Sequence, residues 1–386
     1  MPIKKIAYIS FIKDPWGGSE HLWYLSAKEA ISQNIKVVVS SIDVGEIASP
    51  LVELKTNGAK LYFRRGFINP VWSRNVRLFH KMKYAVLNLL FNPFSAIIKE
   101  KPDCIVFTGA AYAILLNKQL YKLVEKHKIP LFLNIQVNIE YTRPLSDQEA
   151  LFLKNVYTKA SGLIFVSERN MHVAERHIAM KIKNSSIICN PVNLNSREIV
   201  DFPKPVPIRF AIVANLLVNH KGHDILLEVL SKEKWKQRSI QLHIYGNGFD
   251  ESYITKLVSF FELESSVFFH GKVADIRKVW AENHILVMPS LNEGMALAVI
   301  EAMICGRPVV TTDVGGNSEW ITDNVNGFIA EGANVNSFDN ALERAWGRKT
   351  EWEMIGKLAH ESAIKKHDPA SGKTFLKFIL NNGDRS

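Results

Sequence analysis

The stretch "ILVMPSLNEGMALAVIEAMICGRPVV", residues 285–310, has the pattern of a strand, a loop, a helix and a second strand. "ILVMPS" is a short apolar run that predicts a strand, and "LNEG" predicts the loop after it. "MALAVIEAMICG" has the length of a helix, and Gly306 is suited to end it. If residues 297–305 are helical, every side chain except Glu301 is apolar, so we expect this helix to be buried on all sides.

A carboxylate in such a helix needs a partner, because removing an isolated charge from water is unfavourable. The loop before the helix is a ready anion site, since helix N-termini carry free N–H groups and a positive dipole end. Glu301 lies one turn from Leu297, on the side that continues this junction. Glu293 in the loop and Glu301 could therefore meet two parts of one ligand. The alternative is that Glu293 is solvated and Glu301 pairs with a basic group.

Short apolar runs alternate with helical patterns through both halves of the chain, which predicts an α/β protein with mainly parallel sheets. Three prolines in "DFPKPVP", residues 201–207, interrupt the alternation and suggest a linker. We expect two Rossmann-like domains, residues 1–200 and 207–365, facing each other across a cleft. Residues 366–386 are predicted to form a C-terminal helix that could pack back on the N-terminal domain.

Composition fits an ordinary globular protein of two domains, with 386 residues, of which 47% are hydrophobic and 22% charged. The three cysteines form no CxxC pair, which favours a reducing compartment and no zinc site. No apolar run is long enough to span a membrane, and the first residues read as a strand rather than a signal peptide. These features predict a cytoplasmic protein.

Positive charge is concentrated in the first half. Residues 1–200 hold 27 Lys and Arg against 15 Asp and Glu, although the net charge of the whole chain is +10. Residues 54–99 contain no acidic residue. Such a stretch favours an anionic partner. No recognition motif accompanies the charge, so we expect no nucleic acid to bind.

"EGMALAVIE" resembles the E-x7-E signature of retaining glycosyltransferases of the GT-B fold, glycosyltransferase family 4. The continuation "AMICGRPVVTTDVGGNSEWITDNVNGFI" is similar to that family as well. The likeness extends over most of residues 207–335 and more loosely over the N-terminal half. It implies a GT-B fold and transfer of a sugar from a nucleotide-diphosphate sugar to an acceptor hydroxyl, with retention of configuration.

The resemblance also implies roles for residues of this chain. Glu293 would lie by the donor sugar, with the backbone of Gly294, Met295, Ala296 and Leu297 around the sugar and diphosphate, and Glu301 would bind the ribose hydroxyls. Lys221 in "NHKGHD" would contact the diphosphate, as a compact cation suits. The family usually has an Arg shortly before this Lys, where this chain has Asn215, an uncharged donor-side residue.

In the N-terminal half, "DPWGGSEHL", residues 14–22, resembles the family's glycine loop. Gly17 and Gly18 would let the backbone approach a phosphate or sugar of the donor, although a two-glycine turn can also be only a turn. The family often places a His after the strand in "PLFLNIQVNIEY". Gln136 and Asn138 stand there instead and would act on the acceptor side as hydrogen-bonding groups.

No metal or other cofactor is expected. The chain lacks the Asp-x-Asp pair that holds a divalent metal in the other large glycosyltransferase fold. His220 and His223 flank Lys221 without a third ligand, and we interpret them as structural. The leaving group would then be stabilised by Lys221 and a helix dipole.

Residues 64–98 interleave basic residues with Trp72, Phe79, Tyr84, Phe91 and Phe94. This pattern suits an interfacial segment on an anionic membrane surface. An amphipathic helix that packs inward gives the same pattern, with the aromatics in the core and the charges solvated.

The sequence therefore predicts a metal-independent, retaining glycosyltransferase, of hexosyltransferase type, in cell-surface polysaccharide or glycolipid synthesis. Its partners would be a nucleotide sugar, a sugar or lipid-linked sugar acceptor and an anionic membrane, with peripheral placement on the inner membrane face. Two alternatives are a nucleotide-sugar epimerase and a non-catalytic nucleotide-sugar-binding protein on the same fold.

Overall fold

The computed structural model describes residues 2–11, 16–65, 74–90, 92–142, 144–204 and 206–383. The chain forms two compact units. Unit 1 contains Met1–Pro191 together with Asp368–Ser386, and unit 2 contains Val192–His367.

Unit 1 is built on a parallel sheet. Among the described residues the sheet has seven strands in the order β3-β2-β1-β4-β5-β6-β7. The strands are β1 Lys5–Ser10, β2 Lys36–Ile42, β3 Lys60–Arg64, β4 Cys104–Gly109, β5 Leu131–Ile135, β6 Gly162–Phe165 and β7 Ser185–Ile187. The helices are α1 His21–Ser32, α2 Ser49–Thr56, α3 Arg74–Leu90, α4 Ser95–Lys99, α5 Lys118–His127, α6 Asp147–Lys159 and α7 Glu168–Ile178, with short 3-10 helices at Gly18–Glu20 and Leu115–Asn117.

Unit 2 has a second parallel sheet, in which the described residues form six strands in the order β10-β9-β8-β11-β12-β13. These are β8 Ile208–Val213, β9 Ile240–Tyr245, β10 Val267–Gly271, β11 Ile285–Met288, β12 Val309–Thr312 and β13 Phe328–Ala330. Its helices are α8 Val218–Lys221, α9 His223–Leu230, α10 Glu233–Lys236, α11 Glu251–Phe260, α12 Ile276–Glu282, α13 Leu297–Ile304, α14 Asn317–Trp320, α15 Val335–Gly347 and α16 Trp352–Lys366, with a 3-10 helix at Lys349–Glu351. The predicted α/β class is confirmed.

The strand order of unit 2 indicates a candidate ligand-binding edge. β8 pairs with β9 on one side and with β11 on the other, so the direction of winding reverses between β8 and β11. In open parallel sheets the loops at the carboxyl ends of such strands bind ligands. The loop after β8 leads to Lys221, and the loop after β11 contains Glu293.

Helix α13 is buried as predicted. Seven of its eight residues are buried, and it ends at Ile304 before Gly306, whose φ of +77° is left-handed. Such a conformation favours glycine, which explains the end of the helix. The expectation of a helix enclosed on all sides is confirmed.

The proline-containing segment lies within unit 2 and is fixed there by Arg307. This side chain is fully buried and donates from Nη1 to the carbonyl oxygen of Val200 at 3.0 Å, and from Nη2 to that of Asp201. Burial lowers the pKa of Arg307 to about 10. The chain crosses from unit 1 to unit 2 earlier, at Pro191 and Val192.

The last described helix, α17 Ser371–Asn382, belongs to unit 1 and packs on α1. Phe375, Leu376 and Ile379 are buried in the same core cluster as Trp23. A Cβ on Gly372 would lie 2.5 Å from the Cβ of Leu25, so the two helices approach closely at this glycine.

Candidate functional site

Lys221 and Glu293 form an ion pair at the carboxyl edge of the unit 2 sheet. Nζ of Lys221 lies 2.6 Å from Oε1 of Glu293, and the hydroxyl of Ser290 donates to the same oxygen at 2.8 Å. The side chains of Lys221 and Glu293 are only 21% and 8% exposed. The structure thus brings together two of the predicted site residues, which are far apart in sequence.

Close backbone contacts join the loops that carry this pair. The N–H of Leu291 donates to the carbonyl oxygen of His220 at 2.8 Å. Gly222 has a φ of +67°, and a Cβ there would lie 2.2 Å from the carbonyl oxygen of Pro289. Any other residue at position 222 would push the loops apart. Glycine therefore sets the distance between the two loops.

A third loop, after β12, packs against the backbone of Glu293 and Gly294. The N–H of Gly316 donates to the carbonyl oxygen of Gly294 at 2.9 Å. A Cβ on Gly315 would lie 2.3 Å from the carbonyl oxygen of Glu293. The hydroxyl of Thr312 donates to the carbonyl oxygen of Ser290. The sequence patterns assigned no role to residues 312–316 or to Ser290. Their only sequence signals are a serine after an apolar strand and a two-glycine turn.

Glu301 is buried, and its partner is a backbone N–H. Asn193 donates to Oε1 of Glu301 at 2.9 Å, and burial raises the pKa of the carboxyl while this hydrogen bond lowers it. No basic side chain is paired with Glu301 among the ion pairs of the described residues. The alternative in which Glu301 pairs with a basic group therefore has no support there.

The remaining donor-side candidates line the same edge. Gly294, Met295 and Ala296 are buried and lead into α13, whose first residue, Leu297, is half-buried. Ala296 stands at the N-cap and offers no side-chain acceptor to the first N–H groups of the helix.

Asn215, in the loop after β8, is exposed, and its carbonyl oxygen accepts from the N–H of Leu217 at 2.8 Å. It therefore lies in the loop that leads to Lys221.

Two histidines flank Lys221. Burial and the nearby Lys221 lower the pKa of His220, while Glu293 raises it. His223 is buried, and burial lowers its pKa to about 4. In the described part of the chain no group of three or more His, Cys, Asp and Glu is arranged to hold a metal ion. The expectation that no metal is needed stays a prediction.

In unit 1 the glycine loop rests on a buried polar cluster. Gly17 is half-buried and Gly18 exposed, and the N–H of Glu20 donates to the carbonyl oxygen of Gly17 at 3.0 Å. The buried carboxylate of Glu20 accepts from the hydroxyl of Ser10 at 3.0 Å. Arg64 donates to the carbonyl oxygen of Ser10; burial lowers its pKa to about 9, while Glu20 raises it. Asp14 and Pro15 of this motif lie outside the described residues.

Gln136 and Asn138 are both buried and use their amides within the protein. Gln136 donates to Oδ1 of Asn134 at 3.0 Å and accepts from Nδ2 of Asn190 at 2.7 Å. Asn138 donates to the carbonyl oxygen of Asn170 at 2.8 Å. The Gln136 amide keeps one N–H and one lone pair beyond these two bonds. Their acceptor-side role stays a prediction.

The basic stretch divides into core and surface. Phe94 is buried, whereas four large apolar side chains among the described ones of α3 are more than half exposed: Leu78, Phe79, Met82 and Val86. Trp72 and Phe91 lie outside the described residues. Of the described helices, none has both the length and the apolar character needed to cross a membrane.

The sequence of unit 2 matches a known family. Residues 207–347 match the family model described as Glycosyl transferases group 1. We refer to these matched residues, which are similar to that family, as the group 1 domain. Lys221, Glu293 and Glu301 all lie in the group 1 domain.

Two curated relatives extend the likeness beyond the group 1 domain. Poly(ribitol-phosphate) alpha-N-acetylglucosaminyltransferase of Staphylococcus aureus strain COL is 27% identical over 285 residues, which cover 70% of this chain and 55% of that protein. The match thus spans about half the length of that relative. Protein CapJ of Staphylococcus aureus is 23% identical over 312 residues, covering 79% of this chain and 75% of CapJ.

A solved structure matches both units. HepE of Anabaena, crystallised with UDP and glucose, superposes with a TM-score of 0.74 at 16% sequence identity. The superposition covers 98% of this chain and 99% of HepE. The chain has the GT-B fold, and the fold prediction is confirmed.

Proposed function

We propose that this chain is a glycosyltransferase that moves a sugar from a nucleotide-diphosphate sugar to an acceptor hydroxyl. The observation that carries the proposal is the meeting of Lys221, Glu293 and the N-terminal end of α13 at the carboxyl edge of the group 1 domain sheet. Sugar transfer releases a nucleoside diphosphate, so negative charge develops on its terminal phosphate. Lys221 and the backbone N–H groups of residues 294–297 are suited to stabilise that charge.

In this proposal the two carboxylates have different tasks. Glu301 binds the ribose hydroxyls, and the N–H of Asn193 holds its Oε1 in place. Glu293, held by Ser290, accepts hydrogen bonds from hydroxyls of the transferred sugar and orients it. Asn215 donates to the diphosphate through its amide.

We further propose that the enzyme is of hexosyltransferase type, works without a metal ion and retains the configuration of the sugar. The name of the Staphylococcus aureus relative, an alpha-N-acetylglucosaminyltransferase, supports a hexosamine donor and an α-linked product. Retention then proceeds by departure of the nucleoside diphosphate on the face where the acceptor attacks. Lys221 supplies the positive charge that a metal would otherwise provide.

The same comparisons support a proposal for the donor and the acceptor. HepE was crystallised with UDP and glucose, which makes a UDP-sugar the first candidate donor. The poly(ribitol-phosphate) in the relative's name makes a cell-surface polymer, or a lipid-linked sugar, the proposed acceptor.

We propose that unit 1 also contacts an anionic membrane on its inner face through α3. Leu78, Met82 and Val86 recur every fourth residue and therefore share a helix face, beside the exposed Phe79. Lys83 is exposed on the same helix, and residues 54–99 contain no acidic residue. An apolar face with basic neighbours suits insertion at the surface of anionic lipid.

The membrane contact is tested by sedimentation with vesicles of phosphatidylcholine alone or mixed with phosphatidylglycerol. Phe79→Ser with Met82→Ser should reduce binding to the anionic vesicles several-fold without changing the melting temperature, because both side chains are exposed. Leu151→Ser is the matched control, since Leu151 is 70% exposed on α6 of the same unit. Equal loss in the control, or no preference for anionic vesicles, would contradict the contact.

The activity is tested with a panel of UDP-, GDP- and ADP-sugars, by thermal shift and by release of free nucleotide, with and without EDTA and membrane extract as acceptor source. One donor should stabilise the protein, and its nucleotide should be released with EDTA present. Lys221→Ala should abolish release. Binding without release under every condition would indicate a nucleotide-sugar-binding protein, and no binding would refute the proposal.

A further inference from the structure

Lys221 is paired with a carboxylate of the protein itself. Its Nζ lies 2.6 Å from Oε1 of Glu293, and both side chains are largely shielded from water. Coulomb interactions are stronger there than between exposed charges. A diphosphate that binds Lys221 therefore also comes close to the negative charge of Glu293. The ammonium has three hydrogens, so it can contact phosphate oxygens and Glu293 together.

The carboxylate cannot withdraw easily from this position. Ser290 donates to the same Oε1 at 2.8 Å, and Thr312 in turn holds the backbone of Ser290. On the other side, Gly315 packs so tightly on the backbone of Glu293 that a Cβ would lie 2.3 Å from its carbonyl oxygen. The side chain and the backbone of Glu293 are thus both fixed. An anion bound next to Lys221 is therefore repelled by the negative charge of Glu293.

Two ligands of this site differ in how they meet a fixed carboxylate. An intact nucleotide sugar offers sugar hydroxyls, which donate to Glu293 and compensate its charge. A free nucleoside diphosphate has no sugar hydroxyl at that place. Its terminal phosphate is also unesterified and gains further negative charge near neutral pH. The repulsion from Glu293 is therefore larger for the product than for the donor.

We infer that Glu293 is a specificity-determining residue that makes the site prefer the intact nucleotide sugar over the nucleoside diphosphate released by transfer. This inference rests on the proposed function and adds a second task to Glu293. The residue orients the sugar before transfer and weakens binding of the leaving group afterwards. Product release is then faster, and free nucleotide inhibits the enzyme less.

The test compares dissociation constants, measured by titration calorimetry, of the matched pairs UDP and UDP-glucose, UDP and UDP-N-acetylglucosamine, and GDP and GDP-mannose. Glu293→Gln keeps the size of the side chain and an oxygen for Ser290 and Lys221, but removes the charge. We expect it to bind the nucleoside diphosphate about tenfold more tightly and the nucleotide sugar no more tightly. Ser290→Ala, which loosens the carboxylate, should change the ratio in the same direction by less.

Glu262→Gln is the control for net charge, because Glu262 is 85% exposed and its ion pair is with Lys236. It should leave the ratio of the two constants unchanged, and melting curves confirm that each variant is folded. An unchanged ratio in Glu293→Gln, with wild-type binding intact, overturns the inference and leaves the proposed function standing. Absence of binding by the wild-type protein to every pair overturns both.

Discussion

A single residue, Glu301, illustrates what burial does to a carboxylate. Its pKa is raised because burial disfavours the charged form, and one hydrogen bond from Asn193 offsets part of this effect. In the unfolded chain the carboxyl loses its proton at the ordinary, lower pH. The free energy of unfolding that Glu301 contributes is therefore present below the ordinary pKa and is lost as pH rises through the raised pKa.

Replacing Glu301 by Gln separates stability from binding. Gln has no charge to desolvate, and its oxygen can still accept from Asn193. We expect Glu301→Gln to be at least as stable as the wild type at pH 8. Its free energy of unfolding should no longer change with pH just above the ordinary Glu pKa in the way that Glu301 causes. Stabilisation by the preferred nucleotide should fall.

Glu301→Ala is the contrasting variant, because it leaves the N–H of Asn193 without its acceptor and should cost about 1–3 kcal/mol. Denaturant unfolding at several pH values measures all three proteins. A Gln variant that is less stable than the wild type at pH 8 would contradict this account of the carboxylate.

At the scale of elements, the sequence predicts the alternation of strands and helices in both halves and the helix α13, because periodicity and apolar composition are local properties. The short strands β3, β7 and β13 were not singled out. The contact between Lys221 and Glu293 depends on two segments, distant in sequence, that meet at the carboxyl edge of the sheet. The family resemblance named both residues, but neither spacing nor composition indicated that they would pair. Ser290 and Gly315 were missed for the same reason, since each acts through a loop that is distant in sequence.

Gly222 gives a test of this loop packing. Gly222→Ala combines a left-handed φ of +67° with an approach of 2.2 Å to the carbonyl oxygen of Pro289. Gly271 has nearly the same φ, +64°, but open space around its Cβ position. We expect Gly271→Ala to lower the free energy of unfolding by roughly 1 kcal/mol. Gly222→Ala should cost clearly more and also weaken nucleotide binding, and equal losses in denaturant unfolding would contradict the role of the clash.

At the scale of the whole molecule, unit 1 is not continuous in sequence. Unit 1 uses segments from both sides of unit 2 in the sequence, because α17 packs on α1. The sequence predicted a C-terminal helix that could pack back on the N-terminal domain. The surface that this helix covers, the apolar face of α1, is not indicated by any local pattern.

Shortening a buried side chain of α17 should therefore affect unit 1 alone. Ile379→Ala removes a fully buried side chain and should lower the free energy of unfolding by roughly 2–5 kcal/mol. Lys377→Ala, at an exposed position of the same helix, is the control. Denaturant unfolding and nucleotide binding are measured on the same variant. We expect a less stable unit 1 and an unchanged affinity of the group 1 domain for the nucleotide. Loss of affinity at low denaturant would contradict this independence.

The discontinuous make-up of unit 1 has a consequence for biosynthesis. On the ribosome, the segment that contains unit 2 leaves the exit tunnel before α17 does. Unit 2 can therefore reach its native state during translation, while the apolar face of α1 still lacks its covering helix. Nascent unit 1 exposes that face to chaperones and to other chains until Phe375 and Ile379 have emerged, which leaves the face open to aggregation during synthesis.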